Sequence, residues 1–157
     1  MMAGDREYPA RPIIGVGGVV VQKGHMLLAR RGTEPLKGQW SIPGGMLEVG
    51  ESLKHGVKRE LQEETGLEVA VLDLIEVCER IIPAPGGAPR QGPQYHYVIL
   101  DYLCTSMGGK LRPGGDITEL ALIREEDFTS YHLNEATLQV LHKALRMIPG
   151  QKTEIRF

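Results

Sequence analysis

The sequence predicts an α/β fold, because strand-like runs alternate with two amphipathic helices. Ile13–Gln22 is rich in β-branched residues and glycine, which favours a buried strand that another backbone approaches closely. Leu53, Val57 and Leu61 recur every fourth residue, as they do on one face of an α-helix. A chain of 157 residues that is 41% hydrophobic and 24% charged is long enough to bury a continuous core. We therefore expect a sheet packed against helices.

A β-hairpin is predicted at the start of this sheet. The Lys-Gly pair at 23–24 suits a tight turn after the first strand, and His25–Arg31 forms the second arm. Successive residues of a strand point to opposite faces. We therefore expect only one of Arg30 and Arg31 to reach a phosphate in a given site.

The first helix carries an unusual charge pattern. It is predicted to begin after Ser52, a favourable N-cap residue, and to end before Gly66, a residue favoured after the last turn. Glu60, Glu63 and Glu64 fall on one face, where like charges destabilise an isolated helix by roughly 0.2–0.5 kcal/mol per pair. Carboxylates near the C-terminus also oppose the helix dipole. A hard divalent cation such as Mg²⁺ would offset this repulsion, while a solvated acidic face is the alternative.

The remaining elements follow in order. Strands are predicted at 67–79, 95–105 and 117–124 from their β-branched and aromatic content. The loop at 83–94 contains four prolines, and its length favours a substrate lid or a homodimer contact over a simple linker. A second helix at 134–147 has leucines at i, i+3 and i+7. Within the strand at 95–105, alternation places one set of side chains on a common face: Tyr95, Tyr97, Ile99, Asp101 and Leu103.

Composition excludes several classes of protein. A formal net charge of −2 argues against a long nucleic acid as the partner, because such binding needs a basic face. No run reaches the roughly 18–20 apolar residues of a membrane span. Cys78 and Cys104 lack zinc-ligand spacing and are expected to be buried thiols of a cytoplasmic protein. We expect residues 1–10 to form a flexible leader and 11–157 to form one domain.

A spaced motif covers the loop and helix from Gly45 to Leu67. It reads Gly, five residues, Glu, seven residues, then Arg-Glu-apolar-x-Glu-Glu-x-Gly-apolar. All its fixed positions are filled, by Gly45, Glu51, Arg59, Glu60, Leu61, Glu63, Glu64, Gly66 and Leu67. This motif resembles the signature box of the Nudix hydrolases, which cleave nucleoside diphosphates linked to another group. The resemblance implies a Nudix-type α/β/α sandwich with a mixed β-sheet, and it is far more specific than a lone Gly-x-Gly-x-x-Gly.

The resemblance also implies roles for the charged residues of the box. Glu60, Glu63 and Glu64 would share binding of Mg²⁺, or alternatively Mn²⁺, and activation of water. Arg59 would hold a carboxylate in orientation, and Glu51 would support the site from the start of the box. The general base stays open among these glutamates, because related enzymes differ and coupled carboxylates titrate as a group.

Further candidates lie outside the three glutamates. The resemblance implies that the carbonyl group of Gly44 is a metal ligand. A further base is expected on a late loop, where Asp116 and Glu119 are candidates and a solvated surface role is the alternative. The candidates for substrate binding are Arg31, Trp40, Gly45, Arg90 and Tyr97. For Trp40, packing beneath the preceding loop is the competing interpretation.

The predicted activity is Mg²⁺-dependent hydrolysis of ADP-ribose to AMP and ribose 5-phosphate. Pro83 lies sixteen positions after Leu67, where ADP-ribose hydrolases of the resembling family tend to carry a proline. One alternative is a nucleoside triphosphate pyrophosphohydrolase that removes oxidised nucleotides and releases pyrophosphate. The other is a module that senses a nucleotide without cutting it, which an intact box disfavours because function has to be argued from the residues of the site.

Overall fold

A mixed β-sheet carries one α-helix against each face. The computed structural model describes residues 6–34, 36–87 and 92–148. The strands are β1 Ile13–Gln22, β2 His25–Arg31, β3 Trp40–Ser41, β4 Gly44–Met46, β5 Leu67–Ile82, β6 Tyr95–Gly109 and β7 Ile117–Ile123. The helices are α1 Leu53–Thr65 and α2 Glu135–Met147. This architecture confirms the predicted α/β/α sandwich.

The order of the sheet is β3-β2-β1-β6-β5, with β4 also pairing with β1 and β7 with β2. The β1–β6 pair is parallel and the others are antiparallel, so the sheet is mixed as expected. Strand β1 places Gly17 opposite Gly44 of β4 and also opposite Asp101 of β6. Gly17 therefore lies between the start of the box and the middle of β6.

Separate apolar cores fill the two sides of the sheet. The core under α1 is formed by Val16, Val20, Leu27, Val57, Leu61, Leu67, Val69, Tyr102 and Cys104. The core under α2 is formed by Val19, Met26, Leu28, Ile75, Leu103, Ile123, Phe128, Val140, Leu141 and Ala144. Both helices thus bury their apolar stripe against the sheet, as their spacing predicts.

The predicted helix caps are confirmed. The Oγ of Ser52 accepts a hydrogen bond from the N–H of His55 at 3.2 Å. Gly66 has φ +76°, a left-handed conformation that favours glycine. The side chain of Asn134 caps α2 by accepting from the N–H of Thr137 at 2.8 Å.

The strand ends are corrected by the structure. Strand β5 extends to Ile82 and β6 to Gly109, both beyond the predicted limits. The two strands pair from Leu67↔Gly109 to Ile82↔Tyr95, so ladder hydrogen bonds override the weak strand preference of the glycines. Residues 151–157 and Arg90 lie outside the described residues. No helix in the described ranges is both long and apolar enough to cross a membrane.

Candidate active site

Arg59 lies at the centre of the box. Its Nε and Nη2 bind the two carboxylate oxygens of Glu51 at 2.6 and 2.9 Å. Nη1 donates to Glu60 Oε1 at 2.8 Å and to Glu63 Oε2 at 3.3 Å, and Nη2 also donates to the carbonyl oxygen of Met46 at 3.0 Å. One guanidinium therefore connects the loop that opens the box to the acidic face of α1.

The bidentate contact fixes the charge of Glu51. The hydrogen bonds from Arg59 lower the pKa of the Glu51 carboxyl to about 2, and the N–H of Glu48 adds to this effect at 3.1 Å. The same contact raises the pKa of Arg59. Paired in this way, Glu51 is committed to holding Arg59, as its predicted supporting role requires.

Glu60 and Glu64 lie against the glycine turn that precedes the box. The N–H of Gly44 donates to Glu64 Oε2 at 2.9 Å. A Cβ added to Gly45 would overlap the Glu60 carboxylate, so glycine at this position lets the turn and the carboxylate approach closely. Burial raises the pKa of Glu60, and it raises the pKa of Glu64 to about 8 because the Gly44 N–H offsets only part of the desolvation.

Asp116 lies close enough to act on Glu64. Its Oδ2 accepts from Thr33 Oγ1 at 3.0 Å and lies 3.8 Å from Arg31 Nη2. The negative charge of Asp116 raises the pKa of Glu64 and the positive charge of Arg31 lowers it. The structure thus brings one predicted late-loop carboxylate and one predicted phosphate ligand to the acidic cluster.

Glu119 has a different surrounding. Its Oε1 accepts from Arg30 Nη1 at 2.9 Å in an exposed ion pair, so its catalytic role stays a prediction. Arg30 also lies 6.0 Å from the centre of the Trp40 ring. Trp40 meets Tyr131 edge to face at 5.1 Å, which supports the packing interpretation, while another part of it lines the cleft described below.

The donor set of this cluster fits a hard divalent cation. Glu60, Glu63 and Glu64 each keep one carboxylate oxygen without a hydrogen-bond partner among the described residues. The side chain of Glu60 is 12% exposed and Glu64 as a residue is 9% exposed, whereas the side chain of Glu63 is 56% exposed. Two of the three carboxylates are therefore turned away from bulk solvent, and oxygen ligands are what Mg²⁺ prefers.

These carboxylates do not form a ready-made chelate. In the described ranges, no three His, Cys, Asp or Glu side chains already converge as metal ligands. Arg59 binds one oxygen each of Glu60 and Glu63, and the N–H of Gly44 binds one oxygen of Glu64. The metal-binding roles predicted for these residues and for the Gly44 carbonyl stay predictions.

A cleft of about 430 Å³ opens from the glycine turn. It runs over the α2 side of the sheet towards the start of β6. Arg31, Trp40, Gly45 and Tyr97, four of the predicted substrate-binding residues, line it. Its wall also includes Ile42, Cys78, Ile82, Tyr95, Ile99, Asn134, Thr137 and Val140. The cleft is thus a largely apolar chamber that borders the glycine turn, and the turn itself contacts Glu60 and Glu64.

Three charged residues of this cleft escaped the sequence-based reasoning. Arg6 comes from the segment expected to be a leader, which the N–H of Tyr8 ties to the carbonyl oxygen of Gln94 at 2.8 Å. Arg80 and Asp101 come from β5 and β6. A signal existed for Asp101, because it is the one charged residue within an otherwise apolar and aromatic run at 97–104.

Comparison with known proteins agrees with the fold and the box. A model of the NUDIX domain matches residues 11–144. The ADP-ribose pyrophosphatase of Methanocaldococcus jannaschii is 32% identical over 69% of this chain and 59% of its own length. The nucleoside triphosphatase NudI of Klebsiella pneumoniae is 30% identical over 76% of this chain and 86% of its own length. The crystal structure of a MutT NUDIX hydrolase from Burkholderia pseudomallei superimposes with a TM-score of 0.73 at 28% identity, over 85% of this chain and 98% of that one.

The chain belongs to the Nudix hydrolases, a family that acts on pyrophosphate bonds and generally needs a divalent metal. This confirms the family and the class of enzyme that the box predicts. The chain spans 59% of the length of the relative named ADP-ribose pyrophosphatase.

Proposed function

We propose that this protein is a Mg²⁺-dependent pyrophosphohydrolase that converts ADP-ribose and water into AMP and ribose 5-phosphate. The observation that carries the proposal is the turn at Gly44–Gly45, which contacts the buried carboxylates of Glu60 and Glu64 and also lines a cleft large enough for part of a nucleotide. Support also comes from the relative named ADP-ribose pyrophosphatase and from Pro83, sixteen positions after the box.

The acidic residues would hold the cation. Glu60, Glu63 and Glu64 present free carboxylate oxygens, with Mn²⁺ as an alternative ion. A divalent ion bound there would neutralise diphosphate charge and lower the pKa of a coordinated water. Arg59 fixes the orientation of Glu60, and the free oxygen of Glu60 or Glu64 is the candidate acceptor for the proton of the attacking water.

The cleft would orient the rest of the substrate. Arg31 lies between the acidic cluster and the cleft, where its guanidinium can bind a phosphate oxygen. Tyr97 stacks on Tyr95 with ring centres 5.9 Å apart, and both rings border the chamber. Aromatic walls of this kind suit a flat base.

A second candidate is hydrolysis of a nucleoside triphosphate to a monophosphate and pyrophosphate. The chain spans 86% of the relative named nucleoside triphosphatase NudI, a fuller match in length than for the ADP-ribose pyrophosphatase. The acidic cluster would serve both reactions, since each cleaves a phosphoanhydride. The products distinguish them.

The test is a panel of substrates incubated with Mg²⁺, followed by chromatography of the products. We expect AMP and ribose 5-phosphate from ADP-ribose. Glu64→Gln should lower kcat/KM at least tenfold. Glu126→Gln should leave turnover unchanged, because the carboxylate of Glu126 is exposed and its position is distant in sequence from the box. Pyrophosphate release from triphosphates with intact ADP-ribose would favour the second candidate. Absence of cleavage of every phosphoanhydride tested with Mg²⁺ or Mn²⁺ would overturn both.

We also infer a single domain at 11–157 working in the cytoplasm. Support for one domain is that both helices pack on the same sheet. Support for a reducing compartment is that Cys78 and Cys104 are both free thiols. The homodimer and the lid role of the 83–94 loop stay predictions.

A further inference from the structure

Asp101 is a buried carboxylate on the wall of the cleft. It lies in the middle of β6, is 6% exposed and lines the chamber beyond the glycine turn. In the described part of the chain, no side-chain or backbone donor forms a hydrogen bond with its carboxylate. A buried carboxylate without a partner lowers stability, because no protein donor replaces the water that it loses.

Burial and the charge of Arg80 act on the Asp101 carboxyl in opposite directions. Burial raises the pKa of its carboxyl to about 6, and the charge of Arg80 offsets only part of that effect. At neutral pH the side chain is therefore mainly ionised and can only accept hydrogen bonds. An ionised carboxylate that faces a cavity and has no hydrogen-bond donor from the protein is placed to accept a hydrogen bond from a ligand.

The position of Asp101 relative to the acidic cluster is set by the sheet. Gly17 pairs with Gly44 on one side and with Asp101 on the other, so two inter-strand spacings, roughly 9–10 Å, separate the turn from the Asp101 backbone. A Cβ on Gly17 would overlap Asp101 Oδ1, so glycine leaves the room that this carboxylate occupies. The carboxylate thus lies over Gly17, closer to the turn than its own backbone, and a nucleotide in the cleft can contact both Gly44 and Asp101.

The chamber around Asp101 selects the kind of group that can approach. The lining of the cleft is mostly apolar or aromatic and includes Trp40, Tyr97, Ile99 and Val140, while Arg6, Arg31 and Arg80 are its cationic members. Walls of this kind favour the flat face of a base over a hydroxylated sugar. Bases differ in what their edges present, because adenine and cytosine carry an exocyclic amino group where hypoxanthine and uracil carry a carbonyl oxygen.

We propose that Asp101 is a specificity-determining residue that accepts hydrogen bonds from the exocyclic amino group of the substrate's nucleobase. This inference rests on the proposed function, and it deepens it by naming amino-bearing bases as the substrate class. The carbonyl oxygen of hypoxanthine or uracil in the same place would be repelled by the Asp101 carboxylate and would leave that carboxylate without a hydrogen-bond donor. Such mismatches at a buried polar group discriminate strongly between substrates.

The test compares substrates that differ at this edge. CDP-glucose and UDP-glucose form one pair, and ADP-ribose and its hypoxanthine analogue form the other. For the wild-type enzyme we expect kcat/KM to favour the amino-bearing member at least tenfold, mainly through KM. In Asp101→Asn, whose amide presents a donor as well as an acceptor, the preference should fall to within threefold. Asp73→Asn on the exposed side of β5 is the matched control and should keep the wild-type ratio.

Folding and the source of the donor are checked separately. Asp101→Leu, whose side chain has the same number and branching of heavy atoms, should remain folded by thermal unfolding and should lose the same preference. The proposal would be overturned if the ratio of kcat/KM between the two members of each substrate pair were the same in the wild type and in both folded variants. An effect of the Asp101 substitutions that appears only between ribose substrates and their 2′-deoxy analogues would also overturn it, because the contact would then be with the ribose.

Binding measurements separate this proposal from the proposed function. Calorimetry of AMP and IMP needs no catalysis, and we expect AMP to bind at least tenfold more tightly to the wild type but not to Asp101→Asn. Equal binding of AMP and IMP by the wild type would overturn the role of Asp101 even if ADP-ribose is cleaved. Preferential AMP binding by a protein that cleaves nothing would support Asp101 while removing the proposed reaction.

Discussion

Arg59 joins the two ends of the box, since one guanidinium binds Glu51 in the loop and Glu60 on the helix. Lysine would keep the positive charge but not the planar fork that satisfies two carboxylates at once. We expect Arg59→Lys to lower kcat/KM at least tenfold, which corresponds to about 1.4 kcal/mol of barrier. Steady-state kinetics on the best substrate of the panel would measure this.

The matched control is Arg124→Lys, because Arg124 is exposed and lies 4.0 Å from Glu126. Exposed ion pairs contribute about 0–1 kcal/mol, so both activity and melting temperature should be close to wild type. Equal activities of the Arg59 and Arg124 variants would show that catalysis does not need the planar fork of Arg59.

Glu51 should make acid stability depend on Arg59. Its folded-state pKa of about 2 lies below the ordinary value of 4.5, so the pair stabilises the fold fully above that value. The stabilisation is lost as pH falls from about 4.5 through 2. In urea titrations we expect the stability difference between wild type and Glu51→Gln to shrink across that window. A difference that is constant from pH 6 to 3 would contradict the predicted linkage.

At the scale of elements, the ends of α1 could be predicted from the sequence, because residues next to each end determine where the helix begins and stops. Ser52 and Gly66 mark the ends of α1 because a cap and a left-handed residue act within one turn. The end of β6 was missed because Gly108 and Gly109 enter the sheet through pairing with Glu68 and Leu67. That pairing joins residues about forty positions apart, and no local pattern encodes it.

The end of α1 offers a test that separates backbone strain from steric overlap. Gly66 and Gly24 have nearly equal φ, +76° and +77°. A Cβ on Gly66 would overlap the carbonyl oxygen of Lys110, whereas a Cβ on Gly24 meets nothing within 4 Å. We expect Gly24→Ala to cost about 1–2 kcal/mol of unfolding free energy from left-handed strain alone. Gly66→Ala should cost at least twice as much, measured by chemical denaturation, and equal losses would mean that the Lys110 loop moves aside.

At the scale of the whole molecule, the cleft is built from segments that the sequence keeps far apart. The acidic cluster lies within one continuous motif, so Arg59, Glu60 and Glu64 could be named from spacing alone. Arg6 and Asp101 reach the same cleft from the N-terminal segment and from β6. Only the parallel pairing of β1 with β6 places Asp101 beside the glycine turn, and this long-range register lies beyond single-sequence reasoning.

Burial of Asp101 should shape the pH dependence of global stability. Its folded-state pKa of about 6 lies above the ordinary value of 3.8, so between these values the folded chain binds more protons than the unfolded chain. Stability therefore falls as pH rises through this window, by at most about 1.4 kcal/mol per pH unit. Asp101→Asn lacks this loss, so its stability relative to wild type should increase from pH 4 to 7 in urea titrations. A difference independent of pH would show that Asp101 is solvated in the folded protein.

Metal binding should stabilise the folded chain as a whole, because the acidic face of α1 forms only in the folded state. Mg²⁺ at about a hundred times its dissociation constant would add about 2.7 kcal/mol to the unfolding free energy if it binds the folded state alone. We expect thermal unfolding to show this rise for the wild type and for Glu126→Gln, and chelation of the metal to reverse it. Glu64→Gln removes a carboxylate that is bound to the Gly44 N–H, so its melting temperature should respond little to Mg²⁺. An equal response of both variants would place the ion on the general acidic surface and away from the box.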